Sequence, residues 1–247
     1  MSANVAHQNG VLFVMAAKEE YGPALRTRIT PLISGVGPVE AAIGLTRVLA
    51  SLQLGPSLPR LVVSLGSAGS AKLAHTEIYQ ARSVSYRDMD ASAPGFDRGC
   101  TPFLSLPATV PLTARLPGLP SASLSTGANV VSGTAYAAID AEMVDMETFA
   151  LLRSCQSYDI PLLAIRGISD GHTEISRLSD WTEYLAIIDL KLASVVDRIF
   201  EALADGSLPV EKSNAVLASG RDRGAAPEGI ARRAGTVADA ETKKGSI

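Results

Sequence analysis

The chain has 247 residues, 47% of them apolar and 19% charged, which suits one large α/β domain with a continuous core. Its formal net charge of -3 gives no reason to expect nucleic-acid binding. Two cysteines, Cys100 and Cys155, and three histidines supply neither a disulfide framework nor a metal-ligand cluster, so no metal is expected.

Residues 1–10 are polar, and the apolar run Val11 to Ala17 ends at Lys18-Glu19-Glu20 without a cleavage-site pattern. No stretch is long and apolar enough to cross a bilayer. Cytoplasmic residence, with no membrane partner, is the resulting expectation.

Val11–Met15 reads as a buried strand because large and β-branched residues run without polar alternation. Pro23 suits the start of a helix after it. A short strand from Pro31 to Ser34 leads through Gly35 and Gly37, suited to left-handed or close-approach positions, to Pro38 at a first helical turn. That helix is expected to turn Val39, Ala42, Ile43 and Leu49 to the core. Leu61–Leu65 forms the next strand and enters Gly66-Ser67-Ala68-Gly69-Ser70. This segment reads either as a plain tight turn or as a strand end offering backbone donors to a small polar ligand. It lacks the Gly-Lys-Ser/Thr of a phosphate loop.

Ile78–Tyr86 supplies another strand, followed by a long Gly/Pro-containing connection to Ser121. A short strand at 122–125 leads into Thr126-Gly127-Ala128-Asn129-Val130-Val131. Asp145 and Glu147 then precede an apolar helical face, where a carboxylate favours a helix start. Pro161–Ile165 is a buried strand ending in Arg166-Gly167-Ile168-Ser169-Asp170. Trp181–Leu203 reads as a long amphipathic helix packed through Tyr184, Leu185, Ile187, Ile188, Leu192, Val195, Val196 and Ile199. The domain is placed at 1–206. A flexible tail at 207–247 follows, with Ala/Gly repeats and mixed charges.

The chemistry concentrates in four carboxylates. Asp170, at a strand end, can transfer a proton to a leaving group or merely cap a turn. Glu147 can accept sugar hydroxyls and stabilise positive charge, or serve the helix start. Met146 can border a ligand or fill the core, and Arg166 can orient a carboxylate or form a salt bridge. Glu19 and Glu20 are equally able to take a proton from water on residue chemistry alone.

Taken in order, Ala16-Ala17-Lys18-Glu19-Glu20, Ser34-Gly35-Val36-Gly37, Gly66-Ser67-Ala68-Gly69, Val144-Asp145-Met146-Glu147 and Ile165-Arg166-Gly167-Ile168-Ser169-Asp170 resemble the nucleoside phosphorylase/nucleosidase superfamily. Within it they are most similar to the methylthioadenosine/S-adenosylhomocysteine nucleosidase branch, over Val11 to Leu203. The resemblance implies a three-layer α/β/α fold around a central mixed, partly barrel-like sheet, a homodimer, a nucleoside substrate and no cofactor. It also implies that Glu20 activates water, Glu147 holds ribose hydroxyls, Met146 borders the ribose and Asp170 protonates adenine at N7. Ser169 would position that acid, and Ser67 and Gly69 would lie beside the site.

Val130 and Val131 fall where the branch binds the base. Val130 can press on adenine but cannot stack, and Ala128 stands where the branch often has a carboxylate. Three alternatives stay open: a phosphorylase using Arg26, Arg28 and Arg87 for phosphate, a nucleosidase for another 5′-modified adenosine, and a noncatalytic nucleoside binder.

Overall fold

In the computed structural model, Val11–Met15 (β1) is buried along its whole length, and its side chains alternate between two cores. Leu12 and Val14 face one core, while Val11, Phe13 and Met15 face the other. Such burial on both faces is what a continuous apolar strand requires. The structure describes residues 7–55, 57–171 and 181–210.

A 3-10 turn at Lys18–Glu20 and a short helix Pro23–Arg26 (α1) follow β1. Next come Leu32–Ile33 (β2), Pro38–Gln53 (α2), Leu61–Gly69 (β3), Ile78–Tyr86 (β4), Thr109–Pro111 (β5) and Ser121–Thr126 (β6). A second 3-10 segment, Gly133–Ala138, precedes Met143–Asp145 (β7), Thr148–Gln156 (α3), Leu162–Asp170 (β8) and Leu185–Ala204 (α4). The first core lies under α2 and α3, and the second lies under α1 and α4, giving helix layers on both faces of the sheet. The fold is therefore the expected three-layer α/β/α arrangement.

The sheet is mixed, with β1, β2, β3 and β8 parallel and β4 antiparallel to β8. Its barrel character comes from β3, which bonds β1 near its start, β8 along its length and β7 at Gly69. Because β8 also pairs with β4, β4 with β6 and β6 with β7, the path β3-β8-β4-β6-β7 closes on itself. The ends of β3, β6, β7 and β8 are thereby brought near the turn that follows β1.

Several sequence expectations are corrected. The glycine-rich segment is not a turn: β3 runs through it to Gly69, and β8 likewise runs through Asp170. The connection before Ser121 contains β5, and Met143–Asp145 is strand. On α2 the inward stripe is Ala41, Leu45 and Leu49, whereas Val39 is 66% and Ile43 48% exposed. Gly44 explains that rotation, since a Cβ there would sit 2.9 Å from the Ser34 carbonyl oxygen. The helix approaches β2 on its glycine side and turns Val39 and Ile43 outward. On α4, Ile187 is also exposed, and Trp181 precedes the helix. Leu208 is buried with the second core, and the remainder of the expected tail from residue 211 lies outside the described residues. No described helix is long and apolar enough to cross a membrane.

Candidate active site

A cavity of about 500 Å³ opens where these strand ends converge. Glu20, Ser67, Gly69, Val130, Val131, Met146, Glu147 and Asp170 all line it, and Trp181 and Arg87 complete part of its wall. Every expected site residue except Ser169 therefore borders one space. Ser169 is buried directly behind Asp170.

The two neighbouring acids at the end of β1 separate at once. Glu19 is exposed, whereas Glu20 is buried and turned to the cavity. Glu20 Oε1 accepts the Ser67 backbone N–H at 2.6 Å and the Ser67 hydroxyl at 2.7 Å. Ser67 Oγ in turn accepts the Trp181 indole N–H at 2.9 Å. The other oxygen, Oε2, is buried and has no hydrogen-bond partner among the described residues. Burial pushes the Glu20 carboxyl above its ordinary range, against the lowering effect of the Ser67 donors. The small residues of β3 now have a reason. A Cβ on Gly66 would lie 3.1 Å from Glu20 Oε1, and the backbone donor of Ser67 serves the protein's own carboxylate.

Glu147 sits just before α3, yet its side chain leaves the helix start and accepts the Gly37 N–H at 2.8 Å. Gly37 has φ of 92°, a backbone geometry that favours glycine, so this contact joins the turn before α2 to the cavity. Burial, reinforced by the charge of Asp145, pushes the Glu147 carboxyl up to about 7. Met146 lines the cavity and is only partly buried, which places it beside the ligand space and outside the cores.

Arg166 does not orient Asp170. Its Nε and Nη2 donate to Asp145 Oδ2 at 3.2 and 2.9 Å, and its other donors reach Ser64 and Thr148. Four steps along the strand take the chain from Arg166 to Asp170, about 13 Å at the usual rise, and Asp145 lies nearer. Asp145 is the hub, accepting also from Thr126 Oγ1 at 2.7 Å and the Thr148 N–H at 3.1 Å. The Asp145-Met-Glu-Thr148 spacing was the available signal for this helix-start bond.

Asp170 ends β8 with both oxygens in use. Ser169 Oγ donates to Oδ1 at 2.6 Å, and the Tyr136 hydroxyl lies 3.3 Å from Oδ2. Burial raises the carboxyl above its ordinary range, opposed by these two donors and by His75. Tyr136 was absent from the sequence reading, since a lone tyrosine in a polar connection carries no periodic signal.

The three arginines considered for phosphate are dispersed. Arg28 pairs with Asp197 and Arg26 bonds the Tyr21 carbonyl, while Arg87 alone lines the cavity. Arg87 donates to the carbonyls of Ser125, Asp145 and Asn129 and to the Asn129 side chain. Among the described residues, no group of three His, Cys, Asp or Glu side chains is placed to hold a metal.

Comparison with known proteins supplies the family context. A sequence profile of the Phosphorylase superfamily matches residues 121–201. The 5′-methylthioadenosine/S-adenosylhomocysteine nucleosidase of Baumannia cicadellinicola is 29% identical over 189 residues, covering 69% of this chain and 80% of that one. Among solved structures, a futalosine hydrolase mutant from Helicobacter pylori superposes with a TM-score of 0.66 at 18% identity, over 77% of this chain and 98% of that one. A methylthioadenosine/S-adenosylhomocysteine nucleosidase from Neisseria meningitidis, in complex with methylthio-immucillin-A, gives 0.64 at 19%, over 78% and 98%. With the closed β3-β8-β4-β6-β7 path and helices on both faces, these likenesses identify the chain's architecture as the nucleosidase-like fold of the phosphorylase superfamily.

Proposed function

We propose that this protein hydrolyses the N-glycosidic bond of 5′-methylthioadenosine, and of S-adenosylhomocysteine as a related substrate, releasing adenine. The observation that carries the reading is Glu20: one oxygen is fixed by two donors, while the other is buried beside the cavity with no hydrogen-bond partner among the described residues. A carboxylate so held, with its basicity raised by burial, is suited to accept a proton from water.

The other groups then take complementary parts. Asp170, kept protonated more readily by burial, gives its proton to N7 as the bond from C1′ to N9 breaks and its electron pair moves into the base. Glu147 accepts ribose hydroxyls and places negative charge near the electron-poor C1′. Water, losing its proton to Glu20, attacks C1′ and leaves the free sugar. Val130 and Val131 offer apolar contact to the base, and Met146 to the ribose. No group in this scheme calls for a cofactor or metal.

The exposed Val39 and Ile43 on the outer face of α2 support assembly as a homodimer, the expected state. Arg87 gives a second reading its footing: a cationic group on the cavity wall suits phosphorolysis or an oxygen-bearing 5′ substituent. Retention of Glu20, Glu147 and Asp170 in one cavity argues against a noncatalytic binder.

Kinetics of Asp170→Asn and Glu20→Gln test the scheme. Positioned acid–base groups contribute about 10²–10⁴ in rate, so each variant should lose at least about 100-fold in kcat with a smaller change in KM. An unchanged kcat in Asp170→Asn would overturn its acid role.

A further inference from the structure

We propose that Tyr136 is a positioning residue that makes Asp170 a stronger acid by donating a hydrogen bond to the carboxylate formed as the proton leaves. This rests on the reading of Asp170 as the proton donor.

The geometry comes from three elements. Tyr136 belongs to the 3-10 segment Gly133–Ala138, and its hydroxyl lies 3.3 Å from Asp170 Oδ2. Ser169 Oγ holds Oδ1 at 2.6 Å from the acid's own strand. The third element is Gly69, the last residue of β3, opposite Asp170 across a break in strand register. A Cβ there would overlap the Tyr136 hydroxyl and lie 2.6 Å from Asp170 Oδ2. Glycine at 69 thus leaves the space in which phenol and carboxyl meet. It is a second, independent sign that the contact is built into the fold.

The chemistry follows from counting acceptor sites. Neutral Asp170 carries its proton on one oxygen, whereas ionised Asp170 can accept at both. Donors at Oδ1 and Oδ2 together therefore favour the ion. In the reaction, the Asp170 O–H bond breaks, an N7–H bond forms and the C1′–N9 pair passes to the base. Tyr136 keeps its own proton throughout. Its bond to Oδ2 strengthens as charge develops there, so it helps the transition state more than the bound substrate. A 3.3 Å separation is long for the resting contact, and such bonds shorten as charge appears. The groups facing Asp170 are Tyr136, Ser169 and His75, the last from the loop between β3 and β4.

Tyr136→Phe gives a signature that simple loosening of the site does not. With methylthioadenosine as substrate, kcat should fall about 5–10-fold on the acid side, where Asp170 is fully protonated, with KM little changed. The limb that falls at high pH should move upward by about half a unit to one unit, because the acid is weaker. A uniform loss with an unmoved limb would overturn the inference. If Asp170→Asn is as active as the parent, the acid assignment falls and the inference falls with it. If Asp170→Asn is inactive and Tyr136→Phe keeps the parent pH profile, only the inference falls.

A second measurement needs no turnover. Burial, and then the neighbouring Asp170, push the Tyr136 phenol well above the ordinary tyrosine range, against the opposing charge of Arg87. In protein labelled with 13C at tyrosine Cζ, with the signal assigned through Tyr136→Phe, the Tyr136 titration should move to lower pH in Asp170→Asn. An unmoved titration would show that the two groups do not interact and would overturn the proposal.

Discussion

Replacing Glu147 by glutamine removes a charge from the cavity while keeping an oxygen that can accept the Gly37 N–H. In the folded protein the Glu147 carboxyl is pushed up to about 7 from an ordinary 4.5, chiefly by burial and then by Asp145. A group whose folded pKa lies above its unfolded value favours folding while it is protonated. That contribution is complete below the unfolded pKa and is lost as the pH rises through the folded one. For these two values, ionisation costs the fold about 1 kcal/mol by pH 5 and about 3 kcal/mol by pH 8. Glutamine has no such cost. Urea unfolding of Glu147→Gln should therefore show a stability gain over the parent that grows by about 2 kcal/mol between pH 5 and pH 8. Any constant effect of the amide cancels in that difference. The same variant should lose about 10–100-fold in kcat/KM, as expected for losing a charged hydrogen bond to the ribose. A stability difference that does not change between the two pH values would mean that Glu147 ionises as readily in the folded protein as in the unfolded chain.

Two further substitutions probe the surroundings. Arg166→Met leaves Asp145 buried without its cation, since the pair is 3% and 1% exposed at its two side chains, and should cost about 3–5 kcal/mol in unfolding free energy. A loss below about 1 kcal/mol would mean that Asp145 is neutralised by other means. The chain's single tryptophan, Trp181, lines the cavity, so its emission should change when adenine binds and report the Kd. By that assay Val130→Phe should bind adenine more tightly by about 1 kcal/mol, the scale of an added aromatic contact, and unchanged affinity would remove Val130 from the base surface.

The buried strands were legible in sequence because β1, β3 and β8 are continuous apolar runs, a pattern set by helices covering both faces. The ordered motifs also located the cavity wall, from Glu20 to Asp170. What local pattern could not convey was contact between distant segments. Gly37 bonds Glu147 across 110 residues of chain, and Arg166 selects Asp145, although Asp170 is closer in sequence. Short β7 was hidden because three residues give too little alternation to distinguish strand from helix start. The rotation of α2 depended on Gly44 meeting the Ser34 backbone, a tertiary contact that overrides apolar spacing. Gly66 and Gly69 suggested a turn, yet they are strand residues kept small by Glu20, Tyr136 and Asp170.

Attack of water on the sugar leaves a mark that oxygen labelling reads. The purified protein is incubated with methylthioadenosine in H2(18)O, with and without phosphate, and the early products are read by mass spectrometry. Adenine release at the same rate in both, with one 18O on the anomeric carbon of methylthioribose, is the predicted result. Release only with phosphate, giving an unlabelled sugar 1-phosphate, would contradict hydrolysis, and no release in either condition would contradict the substrate assignment.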